Sequence, residues 1–284
     1  MSLKKTSKFK KPIEFISKWR SLPPYELISY IFMYASVPML AYGLTNYDIE
    51  IYKIIIFTII TLYCGFFAAL IWNDITDVEI DTVAHPDRPI PSGRISKRNF
   101  FIIALFFSAL VFIFSTLISI ICLGVVGFAA LFVTFHDKFL KTRVNFPAYS
   151  EIFTPIQWVV VAIFGYMAIW TALPKSSDIF IDIPILGTIS ASNQAVFQMF
   201  ILVLFTYFAV NAHDLPEGIY DYDGDKKEGV RTYATSFGIK NASRISFFMF
   251  FISGVFAFVL YYRTNLSVIF LSLFIIIWFY ILSQ

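Results

Sequence analysis

The sequence is poor in charge. Of its 284 residues only 14% are Asp, Glu, Lys or Arg, while 58% are hydrophobic and 19% aromatic. Soluble domains carry roughly 25% charged residues, and so little polar sequence cannot cover so much apolar surface in water. A soluble globular domain is excluded. Cysteine is nearly absent too. Cys64 and Cys122 both sit inside apolar runs, which leaves neither a disulfide framework nor a cysteine metal site. The histidines, His85, His136 and His213, are too scattered to share a ligand set. The first 24 residues hold Lys4, Lys5, Lys8, Lys10, Lys11, Lys18 and Arg20 but none of the apolar stretch, about 7–15 residues, that a cleavable signal peptide needs. The net charge of +3 gives no sign of a nucleic-acid partner.

What the sequence has instead is a series of apolar runs of about 18 or more residues, the mark of membrane-spanning helices. Eight spans are expected, at 25–44, 51–72, 100–117, 119–135, 152–172, 194–213, 243–262 and 266–282. No residue from Phe100 to Phe135 is charged, and a tight turn near Ser115–Ser119 is expected to divide that stretch. With two helices there, every Lys and Arg except Lys53, Lys175 and Arg263 falls on one side. The positive-inside rule makes that side cytoplasmic. The reading is an all-α polytopic membrane protein. It comprises a basic cytoplasmic segment, 1–24, and one transmembrane domain, 25–284, with the N-terminus inside and no obligate protein partner indicated. In the outer loop, 173–192, the apolar middle is expected to lie along the membrane surface.

The acidic residues cluster on the same cytoplasmic face. In NDITDVEID, residues 73–81, Asn73, Asp77 and Asp81 are spaced i, i+4, i+8, and Asp74 flanks them. If the second span continues as a helix through them, they form one stripe whose members are about 5–6 Å apart. Like charges at that spacing repel, so local stability would not select the arrangement. A hard cation would: Mg²⁺ takes carboxylate oxygens, keeps water and bridges to substrate phosphates. Glu79 points away from the stripe and reads as solvated. The segment HDLPEGIYDYDGDKKEGVRT repeats the spacing with Glu217, Asp221 and Asp225. Pro216 there is expected at the start of a helix, with Asp214 near its N-cap. Two such stripes, each abutting a span on one face, read as two halves of one site.

Between them lies HPDRPIPSGRIS, residues 85–96, a Pro/Gly-rich loop with Arg88 and Arg94. Arginine forks match phosphate oxygens, and Arg88 is the candidate for diphosphate contact. Arg94, Lys97 and Arg98 read as interfacial charges. No span carries a charge near its centre, which argues against an ion path. Gln157, Gln198 and Asn211 read as packing or cavity-lining amides.

NDITDVEID followed by RPIPSGRIS resembles the first signature, NDxxDxxxD, of the UbiA superfamily of intramembrane prenyltransferases, and DYDGDKKEGVRT resembles the second, DxxxD. The similarity runs from about residue 20 onward. It implies a bundle of about nine helices around a central cavity, one more than the eight found here, with a prenyl diphosphate and Mg²⁺ between the two motifs. Carried over by position, Asn73, Asp77 and Asp81, with Asp74 adjacent, would hold one Mg²⁺, and Asp221 and Asp225 the other. These aspartates would make the catalytic set Asp77, Asp81, Asp221 and Asp225. Arg88 would touch the diphosphate. The family's Tyr-x-x-x-Lys falls on VTFHDKFLKTR, where Lys138 matches the diphosphate lysine, Thr134 stands in place of the tyrosine, and Lys141 is the competing position.

The resemblance implies Mg²⁺-dependent transfer of a polyprenyl group, geranylgeranyl by expectation, to a lipophilic acceptor within the bilayer. RPIPSGRIS is similar to the archaeal ether-lipid branch, whose acceptor is geranylgeranylglyceryl phosphate, and also to quinone and chlorophyll branches. An aromatic acceptor or cyclisation of the prenyl chain are the alternatives within the fold. A cation-binding transporter is the alternative outside enzymes.

Overall fold

In the computed structural model, residues 24–43, 48–140, 143–173 and 178–283 are described. The basic segment at 1–23 and Lys141 lie outside them. The helices are α1 (Pro24–Tyr42), α2 (Ile49–Thr76), α3 (Val78–Ala84), α4 (Lys97–Ile118), α5 (Ile120–Phe135), α6 (Tyr149–Ala172), α7 (Asn193–Tyr220), α8 (Tyr222–Glu228), α9 (Tyr233–Phe237), α10 (Ile239–Arg263) and α11 (Val268–Leu282). A single π turn, His136–Leu140, follows α5.

The long helices start where a short polar side chain can take an orphan backbone donor. Asp48 caps α2, Ser96 caps α4, Ser192 caps α7 and Ser267 caps α11. The uncharged stretch from 100 to 135 divides at Ser119, as expected. Its backbone is extended, its N–H still bonds the Ser115 carbonyl, and its Oγ accepts from Cys122 N at 3.0 Å. One serine ends α4 and starts α5.

Among the described residues, five helices are long and apolar enough to cross a membrane: α2, α4, α6, α7 and α10. Shorter apolar helices, Leu27–Tyr42, Ile120–Phe135 and Val268–Leu282, stand at the other expected positions. Large apolar side chains such as Phe128, Leu131 and Ile269 are exposed, the surface that lipid covers in an integral membrane protein. The segment between α6 and α7 adds what an all-helical reading leaves out. Residues Ile179–Ile183 and Gly187–Ala191 form an antiparallel hairpin, with Phe180 opposite Ser190. Pairing satisfies the backbone groups that a strand lying singly on the membrane would leave open.

The two halves of the bundle repeat one order of elements. Helices α2 and α7 are each 28 residues long, each breaks at an aspartate, and each is followed by a seven-residue helix. Ring contacts pair Tyr30 with Trp158 and, in opposite order along the chain, Tyr30 with Phe66 and Tyr34 with Tyr63. Val37 meets Gly165, where no side chain would fit. Hence α6 runs parallel to α1 and antiparallel to α2; α7, which meets Glu151 at Gly218 and Ile152 at Tyr207, runs antiparallel to α6 and so parallel to α2. The order of elements in α1 to α5 recurs in α6 to α11, where the short α9 is added.

Two sequence expectations need correction here. The stripe of Asn73, Asp77 and Asp81 does not lie on one uninterrupted helix: α2 ends at Thr76, and Asp77 takes φ −94°, ψ 14°. The i→i+4 bonds persist across the break, Asp77 N to Asn73 O at 2.9 Å and Asp81 N to Asp77 O at 2.8 Å, so the spacing survives the kink. Pro216 does not open a helix but lies well inside α7, whose N-cap is Ser192 rather than Asp214. The carbonyl that proline leaves without its helical donor, Ala212 O, accepts instead from Ser246 Oγ of α10 at 2.9 Å. Pro155 in α6 is handled alike: Glu151 O accepts from Asn211 Nδ2 of α7 at 3.2 Å. Asn211 is thus a packing amide, as its position suggested.

Candidate functional site

Both acidic segments lie at one end of the bundle. The Trp158 ring of α6 meets Phe66 of α2. With α2 and α6 antiparallel and a rise of about 1.5 Å per residue, the start of α6 is level with the end of α2. On its other side that same start, at Glu151, packs against Gly218 near the end of α7. Two parallel helices therefore deliver their kinked acidic ends to one level.

In the first segment Asp74 and Asp81 are each only 1% exposed, Asn73 and Asp77 are half-buried, and Glu79 is exposed as expected. Arg88 Nη1 donates to Asp81 Oδ1 and lies 4.0 Å from Asp74 Oδ1. The loop is built to hold that guanidinium in place. Arg88 N bonds His85 O at 2.9 Å, Ser92 N bonds Arg88 O at 3.0 Å, and Gly93 takes the left-handed backbone that the turn requires. Arg94, read from sequence as an interfacial charge, staples the loop: Nη2 donates to Asp87 O and Nε to Ser92 Oγ at 3.0 Å.

In the second segment Asp221 takes φ −88°, ψ 8°, nearly the conformation of Asp77. Asp225 N bonds Asp221 O at 2.9 Å. Glu217 and Asp221 are exposed, and Asp214 and Asp225 half-buried. The segment after it is sewn to the start of α6: Ser150 N donates to Arg231 O at 3.1 Å, Ala148 N to Ser236 Oγ at 2.9 Å, and Arg231 Nη2 to Asn145 Oδ1 at 3.2 Å. A reciprocal Thr232–Thr235 cap starts α9, and burial pushes the Tyr233 phenol above its ordinary pKa.

Glu151 is the residue that sequence reasoning missed. It is 6% exposed and accepts from Tyr233 N, with Asp225 and Asp214 near enough to act on its charge. A single charge at the edge of an apolar run reads as interfacial. The available signal was Gly218, a small residue where the first segment has Asp74.

The donor set suits a hard divalent cation, being made of oxygen throughout. Asp81 Oδ2 and Asp214 Oδ2 are buried without a hydrogen-bond partner in the structure, a costly condition unless a cation takes them. Among the described residues no three His, Cys, Asp or Glu side chains converge tightly enough to bind a metal by themselves. Mg²⁺ characteristically relies on one or two carboxylates plus phosphate and water. Lys138 falls in the π turn after α5, its side chain outside the described part. His136 of that turn is buried and stacks on Phe153 at 3.4 Å between ring centroids, a packing role.

The chain is similar to known proteins in sequence and in fold. The chain is 29% identical to the digeranylgeranylglyceryl phosphate synthase of Saccharolobus solfataricus over 61% of this chain and 53% of that protein. It is 30% identical to the synthase of that name from Methanosarcina barkeri over 78% and 67%. Against several such relatives the matched part spans only about half their length. The fold agrees with a solved UbiA homologue from Aeropyrum pernix, TM-score 0.64 at 17% identity over 83% of this chain and 78% of that one. It agrees likewise with a UbiA homologue from Archaeoglobus fulgidus bound to DMAPP and Mg²⁺, TM-score 0.59 at 14% identity over 95% and 87%. The UbiA prenyltransferase family profile matches residues 29–284. With paired acidic kinks on a helical membrane fold whose halves repeat one order of elements, the chain belongs to the UbiA prenyltransferase family.

Proposed function

We propose that the protein transfers a prenyl group from a prenyl diphosphate to a lipophilic acceptor within the membrane, with Mg²⁺. The observation that carries this reading is the pairing of two matched acidic kinks, at Asp77 and Asp221, at one end of an apolar bundle, with Arg88 beside the first. Asn73, Asp77 and Asp81, with Asp74 adjacent, would hold one Mg²⁺, and Asp221 and Asp225 the other. Bound there, Mg²⁺ would neutralise charge developing on the leaving diphosphate. Arg88 adds fixed positive charge at that place. Its contacts with Asp81 and Asp74 both use Nη1, which leaves other donors of the fork for phosphate oxygens. Lys138, in the π turn after α5, is assigned to the same diphosphate, with Lys141 the competing position. The aromatic and aliphatic walls of the bundle exclude water from the ionising allylic carbon, and aromatic faces attract its positive charge by about 0.5–2 kcal/mol per contact.

For the acceptor, the relatives named digeranylgeranylglyceryl phosphate synthase support geranylgeranylglyceryl phosphate, with geranylgeranyl diphosphate as donor. Residues 25–284 form the single catalytic domain. The charge distribution supports acidic kinks facing the cytoplasm, and in a prokaryote the bilayer is the cell membrane. Membranes containing the protein, given both substrates and Mg²⁺, are expected to release diphosphate and form a diether identified by mass spectrometry. Diphosphate release with only an aromatic adduct or a cyclised prenyl chain would move the protein to another branch of the fold. Cation transport without diphosphate release would overturn the reading.

A further inference from the structure

Glu151 stands outside both acidic segments, yet its side chain ends where one of theirs would begin. Aligning the segments on Asp77 and Asp221 places Asp74 opposite Gly218 and Asp81 opposite Asp225. In the first half the buried Asp74 lies beside Arg88, in the loop that returns from the motif. Gly218 offers no side chain, and a Cβ there would collide with the Glu151 carboxylate, whose carbon would lie only 3.1 Å away. So the second half also has a buried carboxylate at this place, delivered from α6 instead of α7. It too grips the returning loop, since Glu151 accepts from Tyr233 N. Its main-chain carbonyl is held by Asn211, so the first turn of α6 is fixed at both ends of this residue. Packing alone does not explain the choice. Glu151 Oε1 is buried without a hydrogen-bond partner, and the nearby Asp214 and Asp225 oppose its charge.

We propose that Glu151 is a positioning residue of the second acidic segment: it replaces, from α6, the carboxylate that Gly218 lacks, and by holding Tyr233 N–H it sets the loop whose Val230 N bonds Asp225 O at 2.9 Å. The proposal rests on the diphosphate–Mg²⁺ reading above. Residues that orient metal ligands without touching the metal change affinity or activity by about 10–100-fold when removed, and the effect appears first in the metal requirement.

The test uses the full chain in nanodiscs, with Glu151→Gln and Glu151→Ala compared for the Mg²⁺ concentration at half-maximal diphosphate release. Hydrogen exchange of the peptide spanning 230–237 is measured in parallel. Glu151→Ala is expected to raise the Mg²⁺ requirement about tenfold or more, to be rescued by excess Mg²⁺, and to lose protection over that peptide. Glu151→Gln keeps an oxygen for Tyr233 N–H and is expected to stay near wild type in both. A folded Glu151→Ala with wild-type Mg²⁺ dependence and protection overturns the proposal. So does a Glu151→Gln as impaired as Glu151→Ala, because then the charge and not the tether is what matters. Should Glu151→Ala fail to fold, Gly218→Ala decides. Its methyl must push the carboxylate off Tyr233, with the same loss of protection and rise in Mg²⁺ requirement, and wild-type values overturn the role. If the wild-type chain releases no diphosphate, the functional reading fails, and the exchange measurement alone still decides the tether.

Discussion

Arg88 Nη1 lies 4.0 Å from Asp74 Oδ1 while paired with Asp81, so one guanidinium serves two carboxylates that are each about 98% buried. Removing the cation from a buried pair costs about 3–5 kcal/mol, because the charge left behind stays desolvated. Arg88→Ala is therefore expected to lower the melting temperature by several degrees in Mg²⁺-free buffer. If these carboxylates face a metal, added Mg²⁺ should stabilise Arg88→Ala more than it stabilises the wild type. Thermal melts with and without Mg²⁺ check this. Equal stabilisation of both proteins would remove the first segment from the metal site.

Asp77 and Asp221 are the equivalent kink residues of the two halves, and neither fills the core: one is half-buried, the other exposed. Asp77→Asn and Asp221→Asn change no packing volume of note and are expected to leave the melting temperature within a few degrees of wild type. Each is expected to reduce diphosphate release by at least about a hundredfold, because losing the ligand weakens the cation that would stabilise charge developing on the diphosphate, an effect on that scale. Assay of purified protein at saturating Mg²⁺ checks the prediction, and undiminished release in both variants would end the two-metal reading.

The sequence made the site legible through spacing and left its geometry out of sight. Asn73, Asp77 and Asp81 are four apart, and the i→i+4 bonds at Asp77 and Asp81 bear that out. The kink at Asp77 has no composition signal, since no Gly or Pro marks it. The Ser119 division and the exposure of Glu79 were both legible, one from charge bookkeeping and one from helical phase. The hairpin was missed because IFIDI reads equally as an interfacial run. Its turn at Ile185, with φ 73°, is a conformation a β-branched residue rarely takes and no pattern announces. Glu151 was missed for a different reason: its partners, Tyr233 and Gly218, are far away in sequence.

The Lys/Arg distribution supports a cytoplasmic face for both acidic segments, and that orientation is open to labelling. Cys64 and Cys122 are buried, so introduced cysteines report with little background. Ser92→Cys, in the loop after the first motif, and Asp223→Cys, in the second, are expected to react with a membrane-impermeant maleimide only from the cytoplasmic side. Ile185→Cys, at a hairpin position 96% exposed, is expected to react only from the other side. Intact cells compared with inverted vesicles give the answer, and labelling of Ser92→Cys and Asp223→Cys from opposite sides would break the single-site arrangement.

Pro216 removes the donor that would have bonded Ala212 O, and Ser246 Oγ takes that carbonyl at 2.9 Å across the α7–α10 contact. Ala212 is buried, and an unmade bond there costs about 1–3 kcal/mol. Ser246→Ala alone is therefore expected to destabilise the protein by about that amount. Pro216→Ala restores the backbone N–H, so Ala212 O gains its helical partner and no longer depends on the hydroxyl. In the Pro216→Ala background, Ser246→Ala is expected to cost clearly less, giving a coupling energy of about 1 kcal/mol in the double-mutant cycle. Melts of the four proteins in one lipid system measure it. Additive effects would show that the hydroxyl does not replace the lost helical bond.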